Sequence, residues 1–125
     1  MEGEIVMKIT DFYTGFEDEP EVRLTLIKNN TVINLLKLWQ GYFDFIFLSS
    51  QPDEIGYHGL SLVYHTDRYY EESPWQIPNL SECITDLKNI DLSEEDEETN
   101  QVRDKIIKML QKALDEGLKV IIEAD

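Results

Sequence analysis

One cysteine, Cys83, is the only thiol in the chain, so no intrachain disulfide can form and a reducing compartment fits. Basic residues are scarce: Lys and Arg number 11 against 26 Asp and Glu, and the formal charge is −15. That balance argues against duplex nucleic acid and anionic membrane as partners, because both present phosphates that Lys and Arg must meet. Long apolar runs are missing. The most apolar stretch, Val32–Leu48, is broken by Asn34, Lys37, Gln40 and Asp44, so it reads as core rather than as a membrane span. Met1 is followed by Glu2, Gly3 and Glu4, the wrong sign for a secretory leader, and no apolar segment comes next. The expectation is a cytoplasmic protein. The chain also lacks the common chemical signatures: a glycine-rich phosphate loop, a G-x-S-x-G nucleophile turn, and paired Cys or His at metal-ligand spacing.

What is present is enough for one domain over residues 1–125, a length that buries a core without metal or disulfide. Glu4–Tyr13 alternates, with Ile5, Met7 and Ile9 on one side and Lys8 and Thr10 on the other. Glu21–Lys28 alternates again, with Val22, Leu24 and Leu26 inward. The turn residues of Thr14–Pro20 between them predict an antiparallel hairpin. Thr31–Gln40 reads two ways. Thr31 can cap a helix carrying Val32, Leu35, Leu36 and Trp39 on one face and ended by Gly41. Alternatively, Asn29-Asn30 can make a two-residue hairpin turn into a β-branched strand. The helix is favoured, because LLKLWQ is built of good helix formers.

Tyr42–Leu48 and Tyr57–Thr66 then read as strands, Ser49–Glu54 as a loop, and Ser73–Asn79 as extended chain held by Pro74 and Pro78. Leu80–Ile90 reads as a short helix capped by Asn79 or Ser81. A long helix follows, started by Ser93 and ended by Gly117, with Val102, Ile106, Met109, Leu110, Ala113 and Leu114 at helical spacing. Leu118–Ile122 is a last strand. The expected fold is α+β: a mainly antiparallel sheet of about five strands, with two or three helices packed largely on one face.

Catalytic candidates are thin. His58 and His65 are seven apart and point to opposite faces of a strand, so they cannot share a metal. A His65–Asp67 pair offers acid–base chemistry, though such a pair at a strand end is more often structural. Cys83 lies among acids that raise a thiol pKa, and reads as filler. No catalytic residue, cofactor or metal is assigned, and the chain is expected not to be an enzyme. Two stretches read as a partner surface. Asp67, Arg68, Tyr69, Tyr70, Glu71 and Glu72 combine the aromatic and arginine types that dominate binding hot spots with acids. Glu94, Glu95, Asp96, Glu97 and Glu98 form an acid run that lacks the Asx spacing and central glycine of a calcium loop. Its bland reading is a solvated helix start; its functional reading is a mimic of phosphates.

The run YHGLSLVYHTDRYY followed by EESPWQIPNLSECITDL resembles small bacterial immunity proteins of contact-dependent inhibition and related polymorphic toxin systems. The likeness covers Gly56–Leu87, with support from the opening strand and its FEDEP turn. It implies a cytoplasmic protein that binds and neutralises one cognate toxin domain, often a nuclease, and it carries over no catalytic residue; the charge of −15 and the acid and aromatic stretches make occlusion of a basic active site the expected mechanism. The other reading is a non-enzymatic adaptor or regulatory domain, with a homodimer as one form of it.

Overall fold

The computed structural model describes residues 7–66 and 73–124. Its elements run β1 (Lys8–Phe12), β2 (Glu21–Lys28), β3 (Thr31–Trp39), α1 (Gln40–Leu48), α2 (Gly59–His65), β4 (Trp75–Gln76), α3 (Leu80–Asn89), α4 (Glu97–Glu116) and β5 (Lys119–Ala124). The expected α+β class holds. The five strands form one sheet in the order β1-β3-β2-β5-β4, antiparallel except for the parallel pair β1–β3. Four helices, rather than two or three, lie among the described residues. None of them is long and apolar enough to cross a membrane.

The hairpin of this sheet is β2–β3, and its turn decides the ambiguous stretch. Asn29 and Asn30 both adopt the left-handed conformation, φ 52 and 63. Two such residues match the right-handed twist of flanking strands, and asparagine tolerates the conformation better than most. Thr31–Trp39 is therefore a strand, not the favoured helix, and the helix-forming residues of LLKLWQ yield to pairing with β2 along its length. Because β3 takes that place, the expected β1–β2 hairpin does not form; β1 pairs with the far edge of β3.

Two other expected strands are helices. Tyr42, Phe43, Ile46 and Phe47 are all buried, the i, i+1, i+4, i+5 face of α1. The alternation of Phe43, Phe45 and Phe47 suggested a strand, but Phe45 and Leu48 stay 39% and 65% exposed. A short apolar run satisfies either period, and only the burial separates them. Gly41 therefore sits inside the first turn of α1 rather than ending a helix; a β-carbon there would collide with the Trp39 indole. In the same way Leu60 and Tyr64 suit both periods. Their segment forms α2, with Leu60, Ser61 and Val63 buried and Leu62 turned outward.

α2 meets α3 closely at Gly59. Its φ is +55, and a β-carbon there would come within 3.0 Å of Asp86 Cβ and 3.1 Å of Cys83 Cα. Asp86 on α3 also accepts hydrogen bonds from the Ser61 amide (3.0 Å) and hydroxyl (2.6 Å). It supplies the cap that His58, at the N-cap position, does not. α4 is capped by Asp96, whose side chain accepts from the Thr99 amide at 2.8 Å; Ser93, the expected cap, lies outside the helix. Gly117 ends it in the left-handed conformation, as expected.

One core joins the helices to one sheet face. Val22, Leu24, Leu26, Leu36, Leu38, Val120 and Ile122 face the buried sides of α1 and α4, and α3 packs on α4 and α2 to extend the core. The other face carries a charged row, in register: Asp11, Lys37, Arg23 and Glu123. Arg23 lies 2.6 Å from Glu21 and 3.7 Å from Glu123. Beside it runs the row Ile9, Leu35, Thr25 and Ile121. Strand β1 thus reverses its expected orientation. Ile9 and Met7 are 54% and 40% exposed, while Thr10 and Phe12 turn to the helix side. The reversal follows from pairing with β3, whose register puts Ile9 beside Leu35 on the outer face and Thr10 beside Leu36 on the inner.

Candidate functional site

The loop between β1 and β2 is ordered by its own polar groups. Asp11 accepts from the Tyr13 amide (2.7 Å), the Thr14 amide (3.0 Å) and the Thr14 hydroxyl (2.5 Å). Those bonds, led by the Thr14 hydroxyl, hold its carboxyl below the usual carboxylate range. The Tyr13 hydroxyl donates to the backbone carbonyls of Glu17 (3.1 Å) and Glu19 (2.5 Å). The Gly15 amide donates to both oxygens of the Glu17 carboxylate at 3.0 Å and lowers its pKa. Glu17, Asp18 and Glu19 are exposed on a loop whose shape is set before any partner arrives.

Phe16 anchors this loop. Its ring stacks on Trp39 at 4.2 Å and meets Tyr42 edge-on at 5.8 Å. The Tyr42 hydroxyl in turn donates to Glu98 at 2.5 Å. Desolvation, reinforced by the bond to Glu98, pushes the Tyr42 pKa up to about 12, so the phenol remains a donor. Through Tyr42 the acids of the β1–β2 loop and the acids at the start of α4 share one end of the molecule.

Of the expected partner residues, Glu94, Glu95, Asp96, Glu97 and Glu98 therefore belong to this end. Their roles differ. Asp96 is the helix cap, and the Thr99 amide lowers its pKa. Glu97 accepts from Gln101 at 3.4 Å, and Glu98 holds Tyr42. Glu94 and Glu95 make no side-chain hydrogen bond or ion pair to a described residue. Asp67, Arg68, Tyr69, Tyr70, Glu71 and Glu72 lie outside the described residues, and so does the partner in the expected His65–Asp67 pair. Sequence reasoning missed Glu17–Glu19 as part of this surface. The FEDEP run was visible, but its neighbourhood with α4 depends on Tyr42, which a strand assignment pointed elsewhere.

The remaining chemical candidates are held in structural bonds. His65 ends α2, stacks on Tyr57 at 3.9 Å, and places Nε2 3.0 Å from the Phe47 carbonyl and 3.3 Å from Ser50 Oγ. A carbonyl only accepts, so Nε2 carries the proton and is not a base for the serine. Ser50 is buried and donates to Phe47 O at 2.7 Å. His58 Nε2 meets Asp53 at 2.7 Å, and its Nδ1 lies 3.8 Å from Glu82, so both ring nitrogens face carboxylates. Cys83 is buried, and desolvation first, then Asp86 and Glu82, push its thiol up to about 12. Among the described residues no group of three His, Cys, Asp or Glu side chains could hold a metal.

Neither protein-family models, curated proteins nor solved structures match this chain. The geometry of its own residues carries the reading that follows.

Proposed function

We propose that this chain is a non-catalytic cytoplasmic inhibitor that binds one basic protein, as the immunity proteins it resembles bind their toxins. The acidic end lies against the partner's cationic cleft and occludes it, with no bond made or broken. The observation that carries this reading is the link through Tyr42 between Phe16, in the loop that bears Glu17–Glu19, and Glu98, in the run Glu94–Glu98. A preformed loop costs less ordering entropy on binding than a loose one. Concentrated exposed charge speeds encounter with a cleft of opposite sign, an effect that salt removes. The acids and aromatics of Asp67–Glu72 belong to the same proposal as a second contact.

A pull-down from source cells at low and high salt tests it. One stoichiometric basic partner, captured at low salt and slowed or lost at high salt, is expected. Glu94→Lys/Glu95→Lys then isolates the surface, because neither side chain holds the fold together. The variant should keep its melting temperature and lose at least about tenfold in association rate at low ionic strength. Unchanged binding by that variant would sink the acidic-end mechanism.

The adaptor reading is favoured by one observation, the exposure of Ile9 and Met7 on the outer sheet face. It predicts self-association that weakens on Ile9→Lys, measured by sedimentation. A monomer at all concentrations would remove it.

A further inference from the structure

Strand β1 turns Lys8 and Thr10 toward the helix layer, where a core residue would ordinarily sit. Opposite them, α4 presents Lys105, Lys108 and Lys112, the i, i+3, i+7 positions of one helix face. The groove between the two elements has a volume of about 250 Å³. Lys8, Thr10, Asn34, Lys105, Lys108 and Lys112 supply its polar lining, over an apolar floor of Leu36 and Met109. No described acidic residue lines it.

That composition is unexpected for a chain of charge −15. Four of the 11 basic residues converge on one groove, drawn from two elements far apart in sequence. Two lysines elsewhere find carboxylates: Lys37 lies 3.9 Å from Glu21, and Lys28 4.0 Å from Glu116. The groove lysines have no such partner among the described residues. On the outer flank of α4, Lys88, Arg103 and Lys108 line a second hollow, but there Asp104 lies 3.8 Å from Arg103 and supplies a counter-charge that the groove lacks. Like charges held together without counter-charge repel, and the repulsion is relieved by a bound anion.

We infer that the groove between β1 and α4 is a binding site for a diphosphate-bearing small anion. Four lysines match the charge of a diphosphate better than that of a single carboxylate or monoanion, and lysine meets phosphate as a point charge without demanding a fixed fork. Thr10 and Asn34 add neutral groups able to hydrogen-bond phosphoryl oxygens. The Leu36–Met109 floor accommodates an organic portion. This site lies toward the opposite end of β1 from the acidic surface and does not depend on the partner reading.

Calorimetric titration with pyrophosphate at low ionic strength tests the inference. The expected result is one saturable site that weakens as salt rises. Lys105→Gln/Lys108→Gln should lower the affinity by at least about tenfold. Lys28→Gln/Lys119→Gln removes the same charge away from the groove and should change it by less than about twofold. Should the first variant fold poorly, Lys8→Gln/Lys112→Gln alters two exposed side chains of the same groove and should weaken binding likewise. Absence of saturable heat, or equal loss in groove and control variants, would overturn the site. Inorganic phosphate binding as tightly as pyrophosphate would overturn the diphosphate assignment. Dimers of the wild type that the groove variants abolish and pyrophosphate does not disperse would give the groove to the acidic end of a second copy instead.

Discussion

Tyr42 shows how one side chain ties stability to a surface. Folding raises its pKa from 10.0 to about 12, so the folded state keeps a proton that the unfolded state releases. That contribution is complete below pH 10 and is lost as pH climbs toward 12. Tyr42→Phe removes the bond to a solvent-exposed carboxylate and should cost about 1 kcal/mol at neutral pH. In urea unfolding at pH 9 and pH 11, the gap between wild type and variant should narrow at the higher pH. Cys83 is a case of burial deciding reactivity. With its thiol pushed up to about 12, it should react with iodoacetamide at pH 8 at least about a hundredfold more slowly in the folded protein than in denaturant. The inertness of Cys83 was legible in the sequence from the acids around it and from its place as a filler. That desolvation outweighs those acids was not legible, because it comes from the packing of α2 against α3.

At the scale of elements, the segments read correctly were those with one period and a clear stop. The face of α4 and its Gly117 terminus were such segments, as were β2 and the last strand. The segments read wrongly carried both periods, and tertiary contact chose between them. Phe43 and Phe47 suit a strand and a helix alike, and what selected the helix was burial of Tyr42 and Ile46 beside them. The Asn29-Asn30 turn makes the hairpin testable. Asn30→Gly keeps the left-handed backbone at lower strain and should stabilise the fold by about 0.5–1 kcal/mol, whereas Asn30→Val should destabilise it by more. Capping gives a second contrast: Asp96→Ala should cost about 1 kcal/mol and Ser93→Ala close to nothing, both read from chemical denaturation. The α2–α3 contact gives a third. Gly59→Ala meets both a positive φ and atoms at 3.0–3.1 Å, and should cost about 3 kcal/mol.

For the whole molecule, the composition announced an excess of acid but not its arrangement. The carboxylates of Asp11, Asp53, Asp91 and Asp96 are each lowered in pKa by backbone or side-chain hydrogen bonds, so part of the acidity serves turns and caps. Their stabilisation is present above the ordinary carboxylate pKa and is lost as pH falls below it. Other acids gather near Tyr42, and four lysines line the groove between β1 and α4, an arrangement that no linear reading of the chain displays. A charge of −15 also repels itself. The melting temperature should therefore rise as salt is added from low ionic strength, and a flat or falling response would mean that local pairs outweigh the net charge.

The strand order carries a consequence for synthesis. β5 is the last described element, yet it lies inside the sheet, between β2 and β4. Until Lys119–Ala124 has left the ribosome, β2 has one strand beside it and its backbone lacks half its ladder. The Asn29-Asn30 hairpin can form as soon as it emerges, but its second edge stays open until α4 and then β5 have followed. A nascent chain stalled within α4 would present that edge to its neighbours, whereas one extended through β5 would not.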